Sequence, residues 1–183
     1  MNKRRNILKL TLGAAGLLVL PQAIELAKAT EDFIKGPPVK DIAPKQLSKH
    51  VWVIYSPDGF PTPENQGMMA NITFVTTSKG VVILDSGASL QIGEMVLRMI
   101  KRVTNQPVVA IFNSHYHGDH FLGNQAYVEA YGKDIPIYAH HYTIEKIKGI
   151  EGDTWRNLME RWTNQASIGT VVIPPNHPVK HGD

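Results

Sequence analysis

From His50 onward the chain alternates between two hydrophobic periods. His50–Tyr55 (HVWVIY) is β-branched and aromatic, and Met69–Thr77 (MANITFVTT) places apolar residues at every second position. Both patterns predict strands. Val81–Leu84 and Val108–Phe112 are short unbroken apolar runs, the mark of strands buried on both faces. Ile135–Ala139 and Thr170–Ile173 predict two more. Between these runs the period becomes helical. Ile92, Val96, Met99, Ile100 and Val103 recur at helical spacing behind Ser89, a residue suited to an N-cap. Gly123–Tyr131 (ended by Gly132), Thr143–Lys148 and Thr154–Ala166 predict further helices. Trp155, Leu158, Met159 and Trp162 share one face of the last and read as core. After residue 80 strands and helices take turns, which predicts an α/β arrangement with helices laid against a sheet.

The breaks in the pattern are also informative. Ser78-Lys79-Gly80 reads as a turn. Ser56–Gln66 holds three prolines and Gly59, and a loop of that length suggests a flap, with Phe60, Met68 and Met69 above a site; a surface hairpin is the alternative. Residues 30–49 contain Gly36-Pro37-Pro38 and Pro44 and read as a flexible lead-in. Residues 1–29 differ from everything after them. Lys3-Arg4-Arg5 precedes an apolar run from Ile7 to Leu20, and Ala27-Lys28-Ala29 has the small-x-small form of a cleavage site. This is the pattern of an export signal. Arg4-Arg5-Asn6-Ile7-Leu8-Lys9 resembles the twin-arginine type, which carries folded proteins to the periplasm. An ordinary secretory signal or an uncleaved anchor is the alternative. The apolar run is short for a membrane span, so membrane contact is expected only in passing, through the leader.

Composition changes the picture in two places. The formal charge of +3 over 183 residues suggests an acidic partner until the charges are placed. Lys3, Arg4, Arg5, Lys9 and Lys28 stand against Glu25 alone in the leader, so the rest is close to neutral. A nucleic-acid binder keeps its basic patch in the folded body, and none is expected here. The absence of cysteine rules out disulfides and thiolate metal sites within these residues.

The candidate chemistry lies in Ser114-His115-Tyr116-His117-Gly118-Asp119-His120. Three of the eight histidines fall within six residues, with an aspartate among them. In an extended segment His115 and His117 point to one side and can share an ion. Neutral imidazole is a preferred zinc ligand. Asp119 and His120 offer an oxygen and a nitrogen to a second ion. The motif follows the run Val108–Phe112, and the carboxyl ends of strands are where α/β sheets place their sites. A solvated His-rich loop is the bland alternative, but four polar groups behind a buried strand are costly unless something satisfies them.

His115-x-His117-x-Asp119-His120 resembles the signature of the metallo-β-lactamase superfamily. Ile83-Leu84-Asp85-Ser86-Gly87 is similar to that family's strand ending in Asp-x-Gly, and Phe121-Leu122-Gly123-Asn124 to the segment after the motif. The resemblance covers about residues 50–140. It implies an αββα sandwich with the site between two sheets, and one or two zinc ions. His115 and His117 would hold the first, and Asp119 and His120 the second. Asp119 would also be catalytic, orienting a metal-bound hydroxide for attack on an amide, ester, lactone or thioester carbonyl of a small-molecule substrate, a β-lactam among the candidates. Asp85 would lie behind the ligands and orient them; a strand-end cap is its alternative role.

The resemblance is incomplete. Such enzymes normally add a third histidine to the first zinc well after the motif, often in a Gly-His-Thr turn, and then further ligands. No Gly-His-Thr string occurs before Asp183. His140 and His141 are expected at the rim of the site, and His177 and His181 lie in a Pro-rich tail. Residues 50–183 therefore read as the N-terminal half of such a domain. The reading divides between a hydrolase seen in part and a truncated metal- or partner-binding remnant without turnover. Oligomeric state is not legible.

Overall fold

Seven strands pair into one sheet, five of them from the apolar runs. The computed structural model describes residues 34–183; the leader, residues 1–29, lies outside them. The strands are β1 (Lys45–Ser48), β2 (Val51–Ile54), β3 (Ile72–Thr77), β4 (Gly80–Leu84), β5 (Val108–Phe112), β6 (Ile137–His140) and β7 (His177–Val179). They lie in chain order across the sheet. β1 to β4 are antiparallel neighbours, and β4 to β7 are parallel. The switch follows from the connections. Ser78-Lys79 turns β3 directly into β4, whereas the return from β4 to β5 runs through a helix, as parallel strands require.

The helices are α1 (Leu90–Val103), α2 (Gly118–Phe121), α3 (Asn124–Tyr131), α4 (His141–Lys146) and α5 (Gly152–Trp162), with a π-helical turn, Ile147–Glu151, between the last two. Ser89 caps α1, its Oγ accepting from the Ile92 N–H at 3.1 Å. Register sorts the side chains by face. Trp52, Phe74, Ile83, Ile111 and Ile137 stand in one row across β2 to β6. From Phe74 on they are fully buried, in a core shared with Ile92, Met95, Val96, Met99 and Ile100 of α1. The row on the opposite face, Leu84, Phe112 and Tyr138, is partly exposed. The described residues thus supply one mixed sheet with its helices, an α/β arrangement matching the metallo-β-lactamase-like architecture expected from the motif. No helix among them is long and apolar enough to cross a membrane.

Several elements differ from expectation. Lys45–Ser48 falls inside the segment read as a flexible lead-in, yet it pairs with β2. Residues before it are docked too. Val39 is buried, Asp41 forms ion pairs with Arg98 and Arg102 of α1 at 2.8 and 2.7 Å, and Arg98 donates to the Val39 carbonyl. Prolines there interrupt secondary structure without freeing the chain. Thr170–Ile173 is not a strand, because side chains take its backbone groups: Gln125 Oε1 accepts from Val171 N–H, and Asn124 Nδ2 donates to the Ile173 carbonyl. The last strand forms later, at His177–Val179. α5 stops at Trp162, where Asn164 and Gln165 adopt positive φ. The Ser56–Gln66 loop is closed on itself: Asn65 Oδ1 accepts from Thr62 and Gly67 N–H, and its Nδ2 donates to the Phe60 carbonyl.

Candidate metal centre

Because β4 and β5 are parallel, with Leu84 opposite Phe112, their carboxyl ends lie side by side. Each then releases its chain into the site. Asp85 turns with φ of 60°, a left-handed conformation uncommon for a non-glycine residue. It is fastened on all sides. Its N–H donates to the Phe112 carbonyl, and its carboxylate accepts from Ser114 N–H at 2.8 Å and Ser114 Oγ–H at 3.0 Å. The two strand ends are stitched together by one carboxylate.

The motif folds back over this junction. His117 is the N-cap of α2, so Asp119 and His120 sit on a short helix. The His120 carbonyl accepts from Ser86 N–H and Asn113 Nδ2, both at 2.9 Å, and Asn113 is itself held by Asn124. The His120 imidazole bridges two carboxylates. Nδ1 donates to Asp85 Oδ2 at 2.8 Å, and Nε2 donates to Asp119 Oδ2 at 2.9 Å. An imidazole that donates from both nitrogens is protonated. Burial opposes that charge, but the hydrogen bonds to Asp119 and Asp85 outweigh it and raise the His120 pKa to about 9. Asp119 is likewise buried, which favours its neutral form, yet the His120 hydrogen bond holds its pKa below the usual value. Burial pushes His115 down, helped by the imidazoles of His120 and His117. The His115 ring lies 4.1 Å from that of His120 and 4.6 Å from that of His117, centroid to centroid.

The expected residues His115, His117, Asp119 and His120 are therefore neighbours, with Asp85 directly behind His120. Three imidazoles and a carboxylate are the donor types that zinc takes. Asp119 Oδ1 is buried and finds no hydrogen-bond partner, the kind of orphaned acceptor that a cation satisfies. In this respect the residues fit a metal. Among the described residues, however, no three His, Asp or Glu side chains converge as ligands of one ion. The ion pair between Asp119 and His120 occupies two of the donors, and an ion taking both would replace it.

The histidines outside the motif make other contacts or lie exposed. His140 caps α4, its Nδ1 accepting from Tyr142 N–H, and its ring packs on His141. His177 packs on Tyr138 and bonds Asn176. His181 is exposed. Nothing in the sequence pattern marks Ser114 for a role, because its place between the two strand ends depends on the parallel register. The helical spacing of Trp155 reads as core alone, although the indole lies against His117 with centroids 4.7 Å apart.

A family model described as the metallo-beta-lactamase superfamily matches residues 65–182, more than half of the chain. A hydroxyacylglutathione hydrolase of Shewanella halifaxensis is 29% identical over 104 residues, which cover 57% of this chain and 38% of that protein. A metallo-beta-lactamase from Erythrobacter litoralis, solved with beta-mercaptoethanol in its active site, superposes with a TM-score of 0.50 at 19% identity, covering 81% of this chain and 53% of its own. A metallo-beta-lactamase from Pseudomonas aeruginosa in a mono-zinc form gives a TM-score of 0.50 at 18% identity, with 80% and 53% covered. The chain thus spans about half the length of these solved structures and less of the curated relative.

Proposed function

The chain belongs to the metallo-beta-lactamase superfamily, and from that premise we propose that it carries the motif-bearing part of an exported, zinc-dependent hydrolase of small acyl compounds. The observation that supports this most is the buried, unpartnered Asp119 Oδ1 among three imidazoles. His115 and His117 would hold one zinc ion, and Asp119 and His120 a second. Zinc in such a setting supplies a nucleophile from water near neutral pH and polarises a carbonyl oxygen. The chain's own residues do the rest. Asp85 fixes the rotamer of His120 through Nδ1 and so directs Nε2 toward Asp119. His115, with its lowered pKa, is ready as a neutral ligand. With one carboxylate oxygen given to the ion, Asp119 would use the other to accept a hydrogen bond from a reacting water and orient it.

The bond cleaved would be an amide, ester, lactone or thioester. The likeness to a hydroxyacylglutathione hydrolase, named for an acyl thioester, favours the thioester among these. In this reading residues 1–29 take the protein to the periplasm; replacing Arg4 and Arg5 by Lys should retain it in the cytoplasm on cell fractionation.

A metal-binding remnant without turnover has one observation in its favour: among the described residues only His115 and His117 are candidates for the first ion, whereas catalytic zinc usually takes three protein ligands. Zinc content after dialysis, with hydrolysis of a thioester and an ester measured on the same sample, separates the readings. Zinc retained with turnover, both lost in His117→Ala, supports the hydrolase. Zinc retained without turnover supports the remnant. No zinc retained overturns both.

A further inference from the structure

The three motif imidazoles are held in different ways. His120 is fixed by Asp85 through Nδ1, and His115 Nδ1 shares a hydrogen bond with Ser114 Oγ at 3.0 Å. His117 has neither support. As N-cap of α2 it makes no side-chain capping bond, and no hydrogen bond to its ring is found among the described residues. Metal-ligating histidines usually have the second ring nitrogen tied by a hydrogen bond, which sets the ring's orientation. At His117 that task falls to packing.

The packing comes from α5. Trp155 lies with its ring centroid 4.7 Å from the His117 ring, the planes tilted by 39°. The imidazole also meets His115 at 4.6 Å and Tyr116 at 5.2 Å, so three rings lie against it while the residue keeps an exposed side. The next motif residue makes the indole's approach possible. A Cβ on Gly118 would lie 2.9 Å from Trp155 Cβ, closer than two such atoms tolerate, so only glycine lets α5 come this near. Trp155 is itself anchored. It packs against the core, and its ring neighbours Trp162 at 6.4 Å, which in turn meets Phe60 of the Ser56–Gln66 loop at 4.9 Å.

We propose that Trp155 is the positioning residue of His117, its indole holding the imidazole in the orientation a zinc ion requires. This rests on the reading of His117 as a ligand. Trp155 touches no reacting group in this arrangement; it acts through His117, and Gly118 is the space that lets it do so.

The test uses the 183-residue chain with zinc(II) alone and cobalt(II) alone as probes, and compares Trp155→Ala and Trp155→Phe with the unaltered protein. Melting temperatures of the metal-free forms are recorded alongside. Trp155→Ala should weaken zinc binding by about tenfold to a hundredfold, the range for removing an outer support of a ligand, and should change the visible absorption of the cobalt form. Trp155→Phe, which keeps an aromatic face, should restore most of both. A folded Trp155→Ala protein with unchanged zinc affinity and an unchanged cobalt spectrum overturns the proposal. So does a Phe variant that regains stability but not metal binding. If the Ala variant fails to fold, Trp52→Phe/Trp162→Phe leaves Trp155 as the sole indole of the three in the chain. Zinc must then alter its emission, and constant emission under saturating zinc overturns the proposal. Failure of the unaltered chain to bind either metal sinks the reading of His117 as a ligand, a result distinct from all of these.

Discussion

His120 bridges two carboxylates through its ring nitrogens, and these two contacts set the electrostatics of the site. Its pKa is raised to about 9, above the ordinary value near 6.5. A raised pKa stabilises the fold fully below the unfolded value, and that stabilisation is lost as pH climbs through the folded value. The metal-free chain should therefore lose stability between about pH 6.5 and 9, on the order of 1–3 kcal/mol given the partial exposure of the pair. Asp119 works in the opposite sense: its lowered pKa contributes above the ordinary carboxylate value and fades as pH falls below it. Urea midpoints at pH 6 and pH 10 test the basic limb; equal midpoints would refute it. Asp85→Asn removes one of the two charges and should shrink the pH dependence, lower the His120 pKa in an NMR titration, and weaken zinc uptake about tenfold or more. The spacing of His115, His117, Asp119 and His120 made these residues legible as a cluster, and the strand ending in Asp85 made that residue a candidate. The bridge through His120 was not legible. It depends on α2 turning two adjacent side chains toward each other, and four residues are too few for a periodic signal.

Elements lie close together where the chain leaves the site. Gly123 follows α2, and a Cβ there would stand 2.0 Å from the Ser86 carbonyl oxygen. Its φ of −73° suits any residue, so the constraint is space alone. Both neighbours are backbone, and Ser86 N–H is already bound to the His120 carbonyl. Gly123→Ala must push the β4 exit away from α3. It should cost about 1–3 kcal/mol as overpacking does and should weaken zinc binding as well. Ser89→Ala is the contrasting case. It removes the α1 cap, should cost about 1 kcal/mol, and should leave zinc uptake unchanged. Chemical denaturation and zinc titration of the two variants give a direct comparison; equal effects on zinc would show that the β4 exit does not govern the site. The same contrast explains which elements could be read in advance. α1 has fourteen residues and carries its amphipathic period for several turns. β1 is exposed throughout and has no alternation to betray it, so its place depends on pairing with β2. Residues 170–173 have strand-like composition, but Gln125 and Asn124, distant in sequence, claim their backbone groups.

At the scale of the molecule, the two faces of the sheet are unequal. One is sealed by the α1 core. The other carries Leu84 and Phe112, 45% and 38% exposed, in register with Tyr138. Phe112 and Tyr138 stack at 4.7 Å, so this is a continuous apolar strip rather than scattered residues, and it ends where Asp85 and the motif begin. Strips of that kind mark a contact surface or an association hazard. The sandwich implied by the motif would lay a second sheet over it, and the chain spans about half the length of the solved structures it matches. The 183-residue chain by itself should therefore bind an environment-sensitive apolar dye and associate as its concentration rises. Leu84→Thr/Phe112→Thr keeps β-propensity while removing apolar area, and should reduce both effects. Sedimentation velocity over a concentration series, with dye emission on the same samples, measures this. A monomeric, dye-silent parent chain would mean that the strip is covered by residues of this same polypeptide. Unchanged behaviour in the double variant would place the adhesive surface elsewhere on the molecule.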